Sequence, residues 1–436
     1  TLAFAPPYAD FFPDANGIYP DNPFFSENPL ALRDLATNRN TINRYIQSFG
    51  ANFRIYSDDK SFLKLSLQGG VDYTSASSLV HLPEVLQFQK NAANPGEVIQ
   101  GRSSQFNTNY QAVLNHNIAV NKSNFASSVG VVKLRQKGEN LLVRGQGLSN
   151  GLIRANTATV QSILAEANTD AADFGYVFQE EFNYDDKIIL TAGVRFDRST
   201  LNLQQDEFYA FPKASAAFNI HKFGFFNVGF LSQLKARVAY GETGGLPQFG
   251  RTFVALNNVF VGQSSGGALS TLDVDPNLVP ETAQEVEFGL DFGFFDNRLT
   301  LETTYYIKTV QDLLESFVPA GSTGITSILT NAGSLENRGF EISLSGNVVK
   351  TSNVKWDAFV NFWGNQTELT EFNVPSFTRG GFGAGLGTYE FAVGQSPTTI
   401  VGTPALVDGA GNPTGRFTVY GDAQPDFQLG IGSSIT

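Results

Sequence analysis

The chain has 436 residues, no cysteine, only 16% charged residues and a formal net charge of -12. That excludes a disulfide framework and a thiolate metal site, and it disfavours a nucleic-acid partner, because no basic surplus exists to neutralise phosphates. The densest apolar run, 223-FGFFNVGFL-231, is half the ~18 residues of a transmembrane helix, yet a β-barrel hides its lipid face in every second residue. Abundant Phe, Tyr and Gly favour strands and turns. Methionine is absent, so a mature product or an internal fragment is expected. The first residues, TLAFAPPYADFFPDANG, lack the basic and apolar regions of a signal peptide.

Residues 1–41 read as an outer loop segment. Tyr8, Phe11, Phe12, Tyr19, Phe24 and Phe25 lie among Pro, Asn and Gly, where no strand face explains them; they suit loop packing or stacking on a substrate ring. From residue 42 a two-residue rhythm begins. In 45-YIQSFGANFRI-55, Tyr45, Phe49, Ala51, Phe53 and Ile55 share one parity, and 62-FLKLSLQGGVDY-73 sets Leu63, Leu65, Leu67, Val71 and Tyr73 against Lys64, Ser66, Gln68 and Asp72. The pattern recurs in 109–120, 125–135, 174–184, 188–197, 234–240, 285–308, 339–349 and 354–363. It is clearest where Val286, Phe288, Leu290 and Phe292 alternate with Glu285, Glu287, Gly289 and Asp291. Side chains of a strand point alternately to its two faces, so each run has one apolar and one polar face. About fourteen strands are expected, roughly 10 to 17 residues each.

The connections alternate in length. DDK at 58–60, NKSN at 121–124, DDK at 185–187, FFDN at 294–297 and KTSN at 350–353 are tight turns. Between them lie polar segments over 75–106, 138–171, 243–281, 314–332 and 371–388. All short turns therefore fall at one end of a meander and all long loops at the other, with 221-HKFGFFNVGFLSQ-233 as a longer connection at the short end. A soluble sandwich has shorter strands and no such asymmetry. The pattern fits an all-β, transmembrane, antiparallel up-and-down barrel over 42–436, with lipid on the apolar face and water on the polar one.

The run 275-DPNLVPETAQEVEFGLDFGFFDNRLTLETTYYIKTVQDLL-314 resembles the SusC/RagA-type TonB-dependent transporters of the Bacteroidetes outer membrane. So do 182-FNYDDKIILTAGVRFDRS-199, 234-LKARVAYGETGG-245, 331-NAGSLENRGFEISLSGNVV-349, 392-AVGQSP-397 and 421-GDAQPDFQLGIGS-433, in order and spacing. The resemblance covers roughly residues 40 to 436. It implies a barrel of about 22 strands, an N-terminal plug, a TonB box, and a SusD-like surface lipoprotein that captures oligosaccharide or peptide. Neither plug nor TonB box is found, and the chain stops at 431-IGSSIT-436, so it is expected to be the barrel portion of such an importer. A siderophore or cobalamin receptor, a secretion-associated or structural barrel, and a soluble β-rich adhesin are the alternatives.

Motifs for chemistry are weak. The stretch 262-GQSSG-266 matches a nucleophile elbow, but His81, His116 and His221 all precede Ser264, and the elbow needs a later His as base. The glycine cluster 380-GGFGAGLG-387 precedes a strand-like run rather than a helix, unlike a phosphate loop. In 273-DVDPN-277 a calcium loop would need Gly where Leu278 stands and Glu where Gln284 stands. Glu285 and Glu287, or Glu180 and Glu181, invite a glycosidase reading, which requires carboxylates across a cleft; lumen-wall charge is the simpler account. No catalytic residue, cofactor or metal site is expected. His116 suits the membrane interface, as do Tyr45, Tyr110, Phe182, Tyr184 and Tyr305 on the lipid parity. By parity Arg195, Asp197, Glu285, Glu287, Glu302, Tyr306 and Lys308 line the lumen wall.

Overall fold

Alternation becomes structure here through a meander in which each strand hydrogen-bonds to the next. The computed structural model describes residues 6, 8–148, 151–254, 256–261, 264–383, 386–402, 409–410 and 418–436. Thirteen strands form one sheet in sequence order. They are β1 (Thr37–Ser57), β2 (Ser61–Leu82), β3 (Glu97–Val120), β4 (Ser123–Gln146), β5 (Val160–Tyr184), β6 (Ile188–Ser199), β7 (Tyr209–Asn219), β8 (Leu231–Gly245), β9 (Glu281–Phe294), β10 (Leu299–Gln311), β11 (Gly333–Lys350), β12 (Lys355–Phe372) and β13 (Gln428–Ile435). From β5 to β13 every pairing is antiparallel.

The tight turns fall where the sequence puts them, and their chemistry is local. Asp58 Oδ1 accepts from the backbone N–H of Lys60 (2.8 Å) and Ser61 (2.7 Å). Asp185 and Asp186 both take positive φ, as do Phe295, Asp296 and Asn297. Short polar side chains tolerate that conformation; Phe does so only under strain.

Strand ends differ from the expectation. β1 to β5 run 21 to 25 residues, and β1 starts at Thr37 rather than 42. Much of 75–106 and 138–171 is therefore strand, leaving connections of 83–96 and 147–159. The reason is solvent. Where a strand rises beyond an apolar surrounding, both faces meet water, so the two-letter pattern fades while the hydrogen-bond ladder continues. The other long segments carry small strands of their own. Leu256–Val261 pairs with Ser264–Leu269, and Leu272–Val274, Ser327–Asn331 and Leu314–Phe317 make a three-stranded sheet. Phe377–Gly383, Gly387–Phe391, Thr399–Gly402 and Thr418–Asp422 make a four-stranded one.

The described chain divides into two compact units: residues 1–51, 67–111 and 133–172 in one, and 52–66, 112–132 and 173–436 in the other. In the first, Phe11, Leu30, Ala31, Leu86, Val98, Ala155 and Ala158 are buried; in the second, Leu278, Val310, Leu329, Ala332, Leu369 and Val401 are. α1 (Pro29–Leu35) is capped by the buried Asn28, whose Oδ1 accepts from the N–H of Leu30 and Ala31. Few large strand residues are buried. Phe288, Leu290 and Tyr305 are 51%, 42% and 45% exposed, an arrangement stable only if that face meets something other than water.

Candidate functional site

Directly paired residues of an antiparallel sheet project to the same face. The pairings Lys213↔Gly241, Gly241↔Glu285 and Glu285↔Lys308 therefore set three charges in one row across β7, β9 and β10. In the adjacent row Thr191, Ser215, Ala239, Glu287, Tyr306 and Gly339 lie side by side. Together Thr191, Lys213, Ser215, Glu285, Glu287 and Lys308 line a recess of about 510 Å³. Next along the face is the row of Arg237, Gly289, Thr304 and Glu341. Arg237 donates to Asp291 Oδ1 (3.2 Å) and Thr304 Oγ1 (2.7 Å).

Two glycines make this surface possible. A Cβ at Gly289 would collide with the Arg237 guanidinium, and one at Gly339 with the Tyr306 ring. Both groups thus lie across their neighbour strand, over the space a Cβ would take.

Of the lumen-wall residues expected from sequence, Glu285, Glu287 and Lys308 share the recess and Tyr306 pairs with Glu287. Glu302 stands opposite Asp291, two rows farther along the same face. Arg195 and Asp197 form their own ion pair (2.6 Å) on β6 and do not line the recess. Lys213, Arg237 and Asp291 are further charged residues of this face. Arg237 and Asp291 share the polar parity of the runs 234–240 and 285–308 and were legible; Lys213 follows Pro212 among alanines in β7, where alternation is faint.

Chemistry by bond cleavage finds little support. Glu285 and Glu287 project side by side from one strand, so they do not flank a bond from opposite sides. Ser264 opens a strand rather than a helix; Gly262 and Gln263 lie outside the described residues. The glycines at 380–387 belong to an antiparallel hairpin, with 384 and 385 outside the described residues. Asp275 is engaged by the Asn277 N–H and the Thr330 hydroxyl, both at 2.9 Å. His116 Nε2 lies 3.1 Å from Ser61 Oγ, and His221 Nδ1 lies 3.1 Å from the Leu234 carbonyl. Among the described residues no three His, Asp or Glu side chains form a metal-binding group.

A long meander with one exposed apolar face and one charged face defines the wall of a transmembrane β-barrel. The profile of the family "TonB dependent receptor-like, beta-barrel" matches residues 2–432. The chain belongs to that family, has its all-β barrel fold and is an outer-membrane protein. It is 25% identical to the TonB-dependent receptor SusC of Bacteroides thetaiotaomicron over 83% of this chain and 36% of SusC. It is also 25% identical to the TonB-dependent receptor P26 of Formosa agariphila, over 80% of this chain and 36% of that protein. A solved structure of the RagAB peptide transporter superposes with a TM-score of 0.77 at 18% identity, covering 96% of this chain and 49% of that one. The chain thus spans about a third of the length of these curated relatives.

Proposed function

We propose that this chain is the barrel portion of a TonB-dependent active importer that carries oligosaccharide or peptide fragments across the outer membrane. In this reading a SusD-like surface lipoprotein captures the solute, and TonB acts through a plug to release it inward. Residues 1–36 and the long connections form the outer surface, and the thirteen strands between Thr37 and Ile435 the barrel wall.

The observation that carries the reading is the polar face from β6 to β11. It offers fixed donors and acceptors of both signs, with Lys213 and Lys308 beside Glu285 and Glu287. Hydrated polar fragments are held weakly by such a wall, as transport requires, since tight binding would prevent release. No bond is made or broken in this function.

Native membranes solubilised in mild detergent provide the test. Pull-down of this chain and mass spectrometry should return a longer parent carrying a plug, together with a helical-repeat surface lipoprotein. A parent with no plug, or a chain in the detergent-free soluble fraction, would remove the importer reading.

A further inference from the structure

The apolar face contains a break at its short-turn end. Leu299 pairs with Gly346, Gly346 with Ala358 and Ala358 with Ser433, so three small residues stand side by side beyond the bulky Phe294 and Leu299 of the same row. Leu344 and Val360 bound the gap on one side and Phe295 and Val348 on the other, making a recess of about 420 Å³. Arg298 is its sole charged lining residue, and with Gly346 and Ala358 it also lines an adjoining recess of about 410 Å³ in which Asp357, ion-paired to Lys355 (2.7 Å), is the other charged residue. The Arg298 guanidinium donates to the Asn347 carbonyl (3.3 Å) and, among the described residues, forms no ion pair.

The level of this recess follows from its neighbours. Phe292 and Phe294 stack at 6.1 Å, and Phe294 and Phe230 at 6.4 Å with their planes within 4°. Aromatic belts of this kind mark the edge of the hydrocarbon layer. Short turns of outer-membrane barrels face the periplasm, which puts the recess in the periplasmic leaflet. Phe295, one wall of it, is 59% exposed and holds a positive φ of 54°. That is an unfavourable conformation for a bulky residue, retained only where the surroundings impose it.

We propose that this recess seats one glycerophospholipid of the periplasmic leaflet, an acyl chain filling the Gly346/Ala358 gap and its phosphate paired with Arg298. The occupant follows from two observations: the recess is continuous with the apolar face, and its lone cation complements a phosphate. The proposal rests on the outer-membrane barrel reading and on short turns lying toward the periplasm.

The protein extracted from its own membrane in mild detergent, examined by native mass spectrometry, should retain one phospholipid. After stripping it should rebind phosphatidylglycerol. Arg298→Gln should lower that retention about five-fold, the worth of one cation at a phospholipid surface, and Arg298→Lys should restore most of it. Ala358→Leu fills the gap and should lower retention as much, whereas Leu290→Ala, higher on the same face, should not. Equal retention in all variants would mean bulk annular lipid and overturn the proposal. So would a bound protein whose loss follows Arg298→Gln. Flotation with vesicles of equal parts phosphatidylethanolamine and phosphatidylglycerol separates the levels: protein that does not float refutes the membrane reading, and protein that floats yet keeps no lipid refutes only the seat.

Discussion

Asp296 shows how a single residue carries the cost of a tight turn. Its φ is 55°, between Phe295 at 54° and Asn297 at 59°, and its side chain lies in solvent. A left-handed residue with a Cβ costs roughly 1–2 kcal/mol. Asp296→Gly should recover about 0.5–1 kcal/mol, seen as a higher urea midpoint with an unchanged slope. Charge at the residue scale is clearest beside α1. Arg33 and then Tyr19, whose hydroxyl donates to Asp34 Oδ2 (2.6 Å), hold the Asp34 carboxyl down at about 2, below its ordinary 3.8. A depressed carboxylate favours the folded arrangement fully above about pH 4 and loses that contribution as pH falls through about 2. An NMR titration of Asp34 should therefore give a midpoint near 2, and Tyr19→Phe should move it upward.

Elements repeat that logic with more partners. The Asn28 side chain caps α1 through Leu30 and Ala31, while its Nδ2 donates to the carbonyls of Phe11 (3.0 Å) and Pro20 (2.8 Å). Losing the cap costs ~1 kcal/mol, and each orphaned buried carbonyl adds about 1–3 kcal/mol. Asn28→Ala should thus unfold residues 8–36 locally, read as faster amide exchange at Leu30 and Ala31 with the strands unaffected. What the sequence revealed of such elements depended on their solvent. β9 and β10 were legible because lipid and water select opposite letters on opposite faces. β7 was not, since Pro212 interrupts it and Ala210, Ala214 and Ala216 carry little contrast. The loop-end halves of β1 to β5 were hidden because water on both faces leaves no alternation to read. The recess was half visible: parity gave Glu285, Glu287 and Lys308, but only register could add Lys213 from a strand distant in sequence.

At the scale of the whole molecule, the polar face mixes charges of both signs, with cations set among the carboxylates Glu285, Glu287, Asp291 and Glu302. Lys213 and Lys308 flank Glu285, and Arg237 and Lys235 flank Asp291 (3.2 and 3.7 Å). A wall with both signs offers partners to polar solutes of either charge, whereas a single-sign wall would select by charge. The double substitution Glu285→Lys and Glu287→Lys places four cations in one recess. Those side chains sit against water, so the cost to folding should remain within about 1 kcal/mol per charge, and outer-membrane abundance should hold. Uptake should not. If the solute passes this wall, import of the natural fragment should fall about ten-fold, equivalent to ~1.4 kcal/mol, and high salt should restore part of it by screening. Lys213→Glu added to the double variant should also recover part of the loss by returning a carboxylate to the same row. Unchanged uptake at normal abundance would place the solute path along another part of the wall, because an unfavourable charge reversal on the path cannot leave the rate untouched.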